Sequence, residues 1–303
     1  PSLTTNTWYR LTIISGYSVT SNVILIEVIP DLIPGTIGSD QSICYNSVPS
    51  AFVQLIPPVG GTGVYDYQWQ ISTNNISWTN ISGANSVTYN PTSITSNSWF
   101  RRNINSGTCE SKTSNSIQIS ILPALTAGTV GTAQSICYGT TPAFLSQVTS
   151  PSGGAGSYSY QWQRSPDNNL WTDISGANLA SYSPPVLTAT TWFRRNVLSG
   201  TCFTESSNSV QITVHPILVS GTIGDNQSIC YNATPASFSQ LTPSTGATGS
   251  YTYQWQTSND NINWTNIQGA SSLVYSPPAL TAPTWYRRNV TSSTCGTETS
   301  NPV

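Results

Sequence analysis

The chain has 303 residues, a formal net charge of −2 and only 7% charged residues, against about 25% in ordinary soluble domains. Its nine Lys and Arg form no basic run, so the clustered positive surface that nucleic acid needs is not there. No apolar run approaches the roughly 18–20 residues that span a bilayer, which argues against membrane insertion.

With 22 Gly, 20 Pro, 10 Trp and 15 Tyr, the chain carries too much apolar bulk for a disordered protein. Regular Gly and Pro punctuation between polar, β-branched and aromatic runs reads as all-β. Residues 1–33 are a partial repeat. Trp8, Tyr9 and Arg10, with the run 21–29, match the last two strands of the unit that follows, two residues shorter. Two strands bury too little apolar surface to stand alone.

Residues 34–126 form the first full unit. QSIC, Gln41–Cys44, ends an extended piece, and an apolar run covers 51–56. After a Gly-rich loop comes YDYQWQ, 65–70, which alternates at the two-residue period of a half-buried strand. Tyr65, Tyr67 and Trp69 share one face; Asp66, Gln68 and Gln70 share the other. Further strands are expected at 78–81, 86–90, 99–103 (WFRRN) and 116–122. Strands every 8–12 residues with no helical pattern predict a sandwich.

The same landmarks then recur. Cys44, Cys137 and Cys230 lie 93 residues apart, as do Trp69, Trp162 and Trp255, and Cys109, Cys202 and Cys295. A period this long is one small domain, not a solenoid unit. Residues 127–219 are thus a second unit and 220–303 a third, which lacks most of its last strand. Both ends cut through a repeat, so the chain is expected to be a window on a longer array. Joints at 121–131 and 214–224 each hold a stiffening proline, Pro123 and Pro216, beside apolar residues that need cover.

Catalytic constellations are absent from the pattern. His215, the single histidine, is replaced by Leu122 in the preceding copy, so no Ser-His-Asp reading holds. Glu110, Glu205 and Glu298 are out of register, and Asp66 becomes Ser159 and Thr252. Asn74, Asp167 and Asp260 head Asn-containing turns; one acid per turn suits a β-turn better than calcium, which wants several carboxylates. No close cysteine pair suggests a metal, and no cofactor is implied.

The Tyr65–Tyr67–Trp69 face reads as core, with Trp78 and Trp99 as candidates for partly exposed surface contact. On strand 99–103, Arg101 lies on the outer face beside Trp99 and is expected to stack on it. Arg102 belongs to the inner face, entering at its margin, with its head on carbonyls or an aromatic ring.

The order of runs is similar to the immunoglobulin fold. The Trp69 run resembles its central aromatic strand, and Phe100 stands where the corner tyrosine falls. The cross-sheet cysteine position falls near Arg102, so the likeness is architectural only. QSIC, YQWQ, W-T-[ND]-I, SGA, W-[FY]-R-R-N and SGTC together resemble the Ig-like and PKD-like repeats of very large Bacteroidota surface proteins exported by the type 9 secretion system. That resemblance implies an extracellular, cell-surface structural or adhesive array, not an enzyme. It would be rod-like or filamentous, and would reach other cells or surfaces through domains outside this window. Low charge further suggests a parallel homo-oligomeric bundle of copies. The alternative is a carbohydrate-binding or accessory module of a secreted hydrolase.

Six cysteines at fixed spacing in such a chain should be oxidised. Two pairings remain open. Local bridges would join Cys44–Cys109, Cys137–Cys202 and Cys230–Cys295. In an Ig-like sandwich, however, these partners sit at opposite poles, roughly 20 Å apart for strands of about six residues. The same polarity would allow Cys44–Cys202 and Cys137–Cys295 as staples across the joints, with Cys109 and Cys230 paired to repeats beyond this window.

Overall fold

The computed structural model describes residues 2–303; Pro1, the first residue of the expected partial repeat, lies outside them. Every regular element among the described residues is a β-strand. The chain divides into two compact units. The first runs to Leu125 and takes in Gly153–Ser157 and Ser199–Phe203; the second holds Thr126–Ser152, Tyr158–Leu198 and Thr204–Val303.

In the first repeat the alternating run becomes the strand Asp66–Ser72. It pairs antiparallel with Ser98–Asn105, placing Arg102 opposite Trp69, and its other edge takes Thr79–Asn80. Ser98–Asn105 pairs onward with Ile117–Leu122. The QSIC segment Gln41–Cys44 lies parallel to that last strand, with Cys44 opposite Leu122. A parallel neighbour cannot come from a hairpin, so the chain must cross the sandwich to make it. Thr36–Ile37 and Gln54–Ile56 build the second layer, and Phe52 bridges to Tyr89 there.

The two inner faces meet in an aromatic core. Trp69, Phe52, Phe100, Ile37, Ile117 and Ile119 are all buried, with Phe52 and Phe100 rings 4.9 Å apart. The buried Trp69 Nε1 donates to the Ser86 carbonyl at 2.9 Å, so its one polar group is satisfied. Asn115 clamps the layers: its Oδ1 accepts from Ile37 N at 2.8 Å and its Nδ2 donates to Ile37 O at 3.0 Å. Asn208 and Asn301 do the same for Val130 and Ile223. The second and third repeats centre their cores on Trp162 and Trp255. This is an immunoglobulin-like β-sandwich with a 93-residue period.

Some elements are smaller than expected. The run 51–56 is a strand only over Gln54–Ile56, and 86–90 contributes the single bridge Tyr89–Phe52. Pro91 ends that run, since proline has no N–H to extend a ladder. Near the N-terminus, Thr7–Tyr9 pairs with Ile24–Ile26, and Thr12–Ser15 forms a hairpin with Tyr17–Thr20. Ile13, Ile14, Tyr17, Ile24 and Ile26 are exposed there, because no second layer faces them.

The joints are held by the repeat that follows them. Pro30 O, Pro123 O and Pro216 O accept hydrogen bonds of 2.9, 2.8 and 2.8 Å from Gly61, Gly154 and Ala247 N in the Gly-rich loops. Leu32 and Leu218 are buried beside these points. A Cβ on Gly153, at φ 77, would run into the Ala124 carbonyl oxygen. The short loop thus wraps the linker backbone, and only glycine permits that approach.

Candidate functional site

The cysteines define the first candidate site. Cys44 is bonded to Cys202 and Cys137 to Cys295, with Cα atoms 5.4 and 5.5 Å apart. Each bridge joins the end of a QSIC strand to the loop SGTC or SSTC of the following repeat. The local pairing is excluded. Parallel docking on Ile117–Leu122 carries Cys44 to one pole, while Cys109 follows Ser98–Asn105 to the other. Each bridge lies within a single compact unit: Cys44–Cys202 in the first, which takes in the loop that carries Cys202, and Cys137–Cys295 in the second. Cys109 is half-buried and Cys230 exposed, and both are free thiols.

The outer face of the large sheet carries a repeated cation–aromatic stack. Arg101, Arg194 and Arg287 place their guanidinium carbons 4.3, 4.3 and 4.2 Å from the ring centroids of Trp78, Trp171 and Trp264. This corrects the expected partner, Trp99. Trp99 neighbours Arg101 along one strand, but its side chain lies beside Ser72 and Gln118. Trp78 instead leads into Thr79–Asn80, whose pairing with Gln70 and Ile71 sets it across from Arg101. The stack is fixed from below. Arg101 Nε donates to Gln70 Oε1 at 2.7 Å, and Gln70 Nε2 donates to Asn80 Oδ1 at 2.8 Å. Gln163 with Asp173, and Gln256 with Asn266, repeat this chain. Trp78 and Trp99 are each half-buried.

Arg102 lies deeper than the expected margin, with 0% exposure. Its guanidinium sits 4.4 Å over the Tyr67 ring and donates to Val87 O at 2.7 Å and Gln54 Oε1 at 3.0 Å. Arg195 with Gln147, and Arg288 with Gln240, are equivalent. Gln54 stands on the opposite layer, so this pair bridges the sheets beside the buried tryptophan, where antibody-type domains carry their disulfide. Burial pushes the pKa of Arg102, Arg195 and Arg288 down from the ordinary arginine value, and the facing Tyr67, Tyr160 and Tyr253 push it back up. The Nε of each is buried without a partner. The glutamines escaped sequence reasoning, although Gln54, Gln147 and Gln240 recur at the full period and were a usable signal.

The turn acids are satisfied internally. Asp260 Oδ1 accepts from Asn263 N at 2.7 Å, Ile262 N at 2.9 Å and Ser258 Oγ at 2.9 Å, and Oδ2 accepts from Asn263 Nδ2 at 2.7 Å. The Asn263 bonds, then the others, hold this carboxyl well below the usual range. The Leu170 and Asn169 amides and Ser165 lower Asp167 in the same way. In the first repeat Asn74 Oδ1 accepts from Ile76 N and Ser77 N without any charge. At Asp260 these bonds engage both carboxylate oxygens. Among the described residues no three His, Cys, Asp or Glu side chains cluster as metal ligands. Glu110, Glu205 and Glu298 are exposed, and His215 ends the strand Val210–His215 opposite Cys137.

These features define a class: tandem immunoglobulin-like sandwiches covalently joined from repeat to repeat, each with a buried Arg–Gln bridge. The chain belongs to the family described as Domain of unknown function (DUF8696), which matches residues 33–123, 126–216 and 219–303. No curated protein matches it. Among solved structures it is similar to a three-domain Ig segment of titin, at 10% identity and TM-score 0.48, covering 90% of this chain and 97% of that one. It is also similar to extracellular domains 3–5 of Drosophila OTK, at 12% and 0.36, covering 91% and 98%. Three N-terminal domains of the Hoc capsid protein of bacteriophage RB49 match at 12% and 0.38, again covering 91% and 98%.

Proposed function

We propose that this chain is part of an extracellular structural or adhesive repeat array, a rod or filament extending from a bacterial surface. The observation that carries this reading is the pair of staples, Cys44–Cys202 and Cys137–Cys295, each tying one repeat to the next. Disulfides persist in oxidising compartments, which supports a non-cytoplasmic protein. A covalent bond across each of the two joints between full repeats suits mechanical continuity. The resemblance to Bacteroidota surface repeats supplies the bacterial surface and type 9 export. The carbohydrate-platform alternative is disfavoured by the outer tryptophans, because the indoles of Trp78, Trp171 and Trp264 already have guanidinium groups over them.

Small-angle scattering on the oxidised chain tests this reading. An extended profile that softens when the staples are reduced is the expected result. Compact, freely jointed beads before reduction would overturn it. Copies are also proposed to associate side by side in a parallel bundle through their weakly charged surfaces. Sedimentation at high concentration checks that, and strictly monomeric behaviour counts against it.

A further inference from the structure

We propose that the second repeat holds a binding site for a small monocarboxylic acid with an apolar body, about the size of a benzoate. Arg164 and Tyr182 hold the carboxylate. The site goes beyond the array reading and does not depend on it.

The site begins with an irregularity in the repeat. Along the strand Ser159–Ser165, Trp162 points into the core with 0% exposure. Arg164 follows two residues on, so it takes the same inner face. It also stands directly opposite the buried Phe193 of the strand Thr191–Leu198. The first repeat has Ile71 at this place, packed against its core. The third has Thr257, opposite Tyr286, whose hydroxyl reaches it. Of the three repeats, the second alone puts a charged side chain at this inward position. A charge on a core-facing position breaks the pattern of the sandwich, and such breaks gather at functional sites.

Between the layers at this end of the second repeat lies a cavity of about 310 Å³. A dry cavity of about 150 Å³ is enough to hold benzene. Phe193 and Leu187 are buried at its floor, Tyr182 and Pro185 form walls, and the exposed Arg164 stands at the rim. Tyr182 comes from the opposite layer. Its backbone bridges to Leu145, and its ring lies 5.8 Å from that of Phe193. An apolar body entering here therefore meets aromatic and aliphatic surface on both layers.

Two donors serve the same space. Among the described residues, neither the Arg164 guanidinium nor the Tyr182 hydroxyl has a hydrogen-bond or ion-pair partner. The acids nearest Arg164 in sequence are engaged elsewhere. Asp167 accepts from Ser165, Asn169 and Leu170, and Asp173 accepts from Gln163. Burial pushes the Tyr182 phenol up, and the charge of Arg164 draws it back down, so the two groups feel each other across the cavity. A carboxylate at the rim accepts from both, one bond being charge-assisted. Apolar walls with a few convergent polar groups are the general form of a small-molecule site.

The test titrates benzoate, phenylacetate and isovalerate into the 303-residue chain by calorimetry. The expected result is saturable binding of at least one of these acids, with one molecule per chain. Arg164→Ile, which installs the first repeat's residue, should weaken binding by about tenfold or more. Tyr182→Phe should weaken it about three- to tenfold. Benzamide, with the shape of benzoate and no charge, should bind about tenfold more weakly than benzoate. The near-ultraviolet tryptophan signal and the melting temperature show that each variant keeps its fold. Binding of none of the three acids would overturn the proposal, as would benzamide binding as well as benzoate, affinity unchanged in Arg164→Ile, or three molecules bound per chain. None of these outcomes bears on the staples, so the array reading stands or falls by its own test.

Discussion

Arg102 is a buried cation whose partners are a glutamine, a carbonyl and a tyrosine ring. Such a charge is tolerated only while those partners are in place. Arg102→Met keeps much of the volume but strands the Gln54 amide and the Val87 carbonyl, and should cost about 2–4 kcal/mol. Adding Gln54→Leu removes one stranded group and should recover a good part of the loss. Urea titration of the single and double variants reads this; equal costs for both would show that the arginine acts alone. At the turns, hydrogen bonds lower the Asp260 carboxyl below its unfolded value of about 3.9. Its contribution is therefore complete above that value and lost as the pH falls below it. Asp260→Asn keeps an acceptor, as Asn74 does, and should flatten the melting temperature against pH below about pH 4. An unchanged slope would contradict the assignment. The face of each arginine was legible from two-residue alternation. The partner of Arg101 was not, because Trp78 reaches it only through the pairing of a neighbouring strand.

At the scale of elements, the sandwich was readable because alternation, turn residues and the 93-residue period agree. The limits of weak strands were not: runs 51–56 and 86–90 have strand-like composition, but only cross-sheet pairing decides which residues extend a ladder. The joints show the same division. Pro123 and the loop glycines could be picked out, yet the bond from Gly154 N to Pro123 O joins segments that the sequence does not relate. Gly153→Ala places a methyl against the Ala124 carbonyl at positive φ, and should cost about 1–3 kcal/mol. Hydrogen exchange of the Gly154 amide should speed up far more than that of the Trp162 amide in the core. Equal protection in variant and parent would show that the loop does not hold the linker.

For the whole molecule, pairing Cys44 with Cys202 rather than Cys109 changes how force travels. Each staple closes 158 residues, worth about 5 kcal/mol in the chain-entropy model. The two loops overlap, and the overlap matters more than either bond. Cys44 is fused to Cys202 and Cys137 to Cys295, so three chain segments run in parallel between the two cystines: 44–137, 137–202 and 202–295. When the repeats unfold under tension, the shortest segment becomes taut first. It spans 65 residues, whereas the reduced chain would extend through all 251 residues from Cys44 to Cys295. At about 3.6 Å per residue, the staples should withhold roughly 670 Å of contour length. Single-molecule pulling from the termini, with and without reductant, measures this directly. Local bridges would hide three separate segments, and Cys44→Ser would then release only one of them. With crossed staples, Cys44→Ser opens the parallel path while Cys137–Cys295 still spans its own 158 residues, leaving the variant between the oxidised and reduced chains. Equal extension of oxidised and reduced protein would rule out a mechanical role for these bonds.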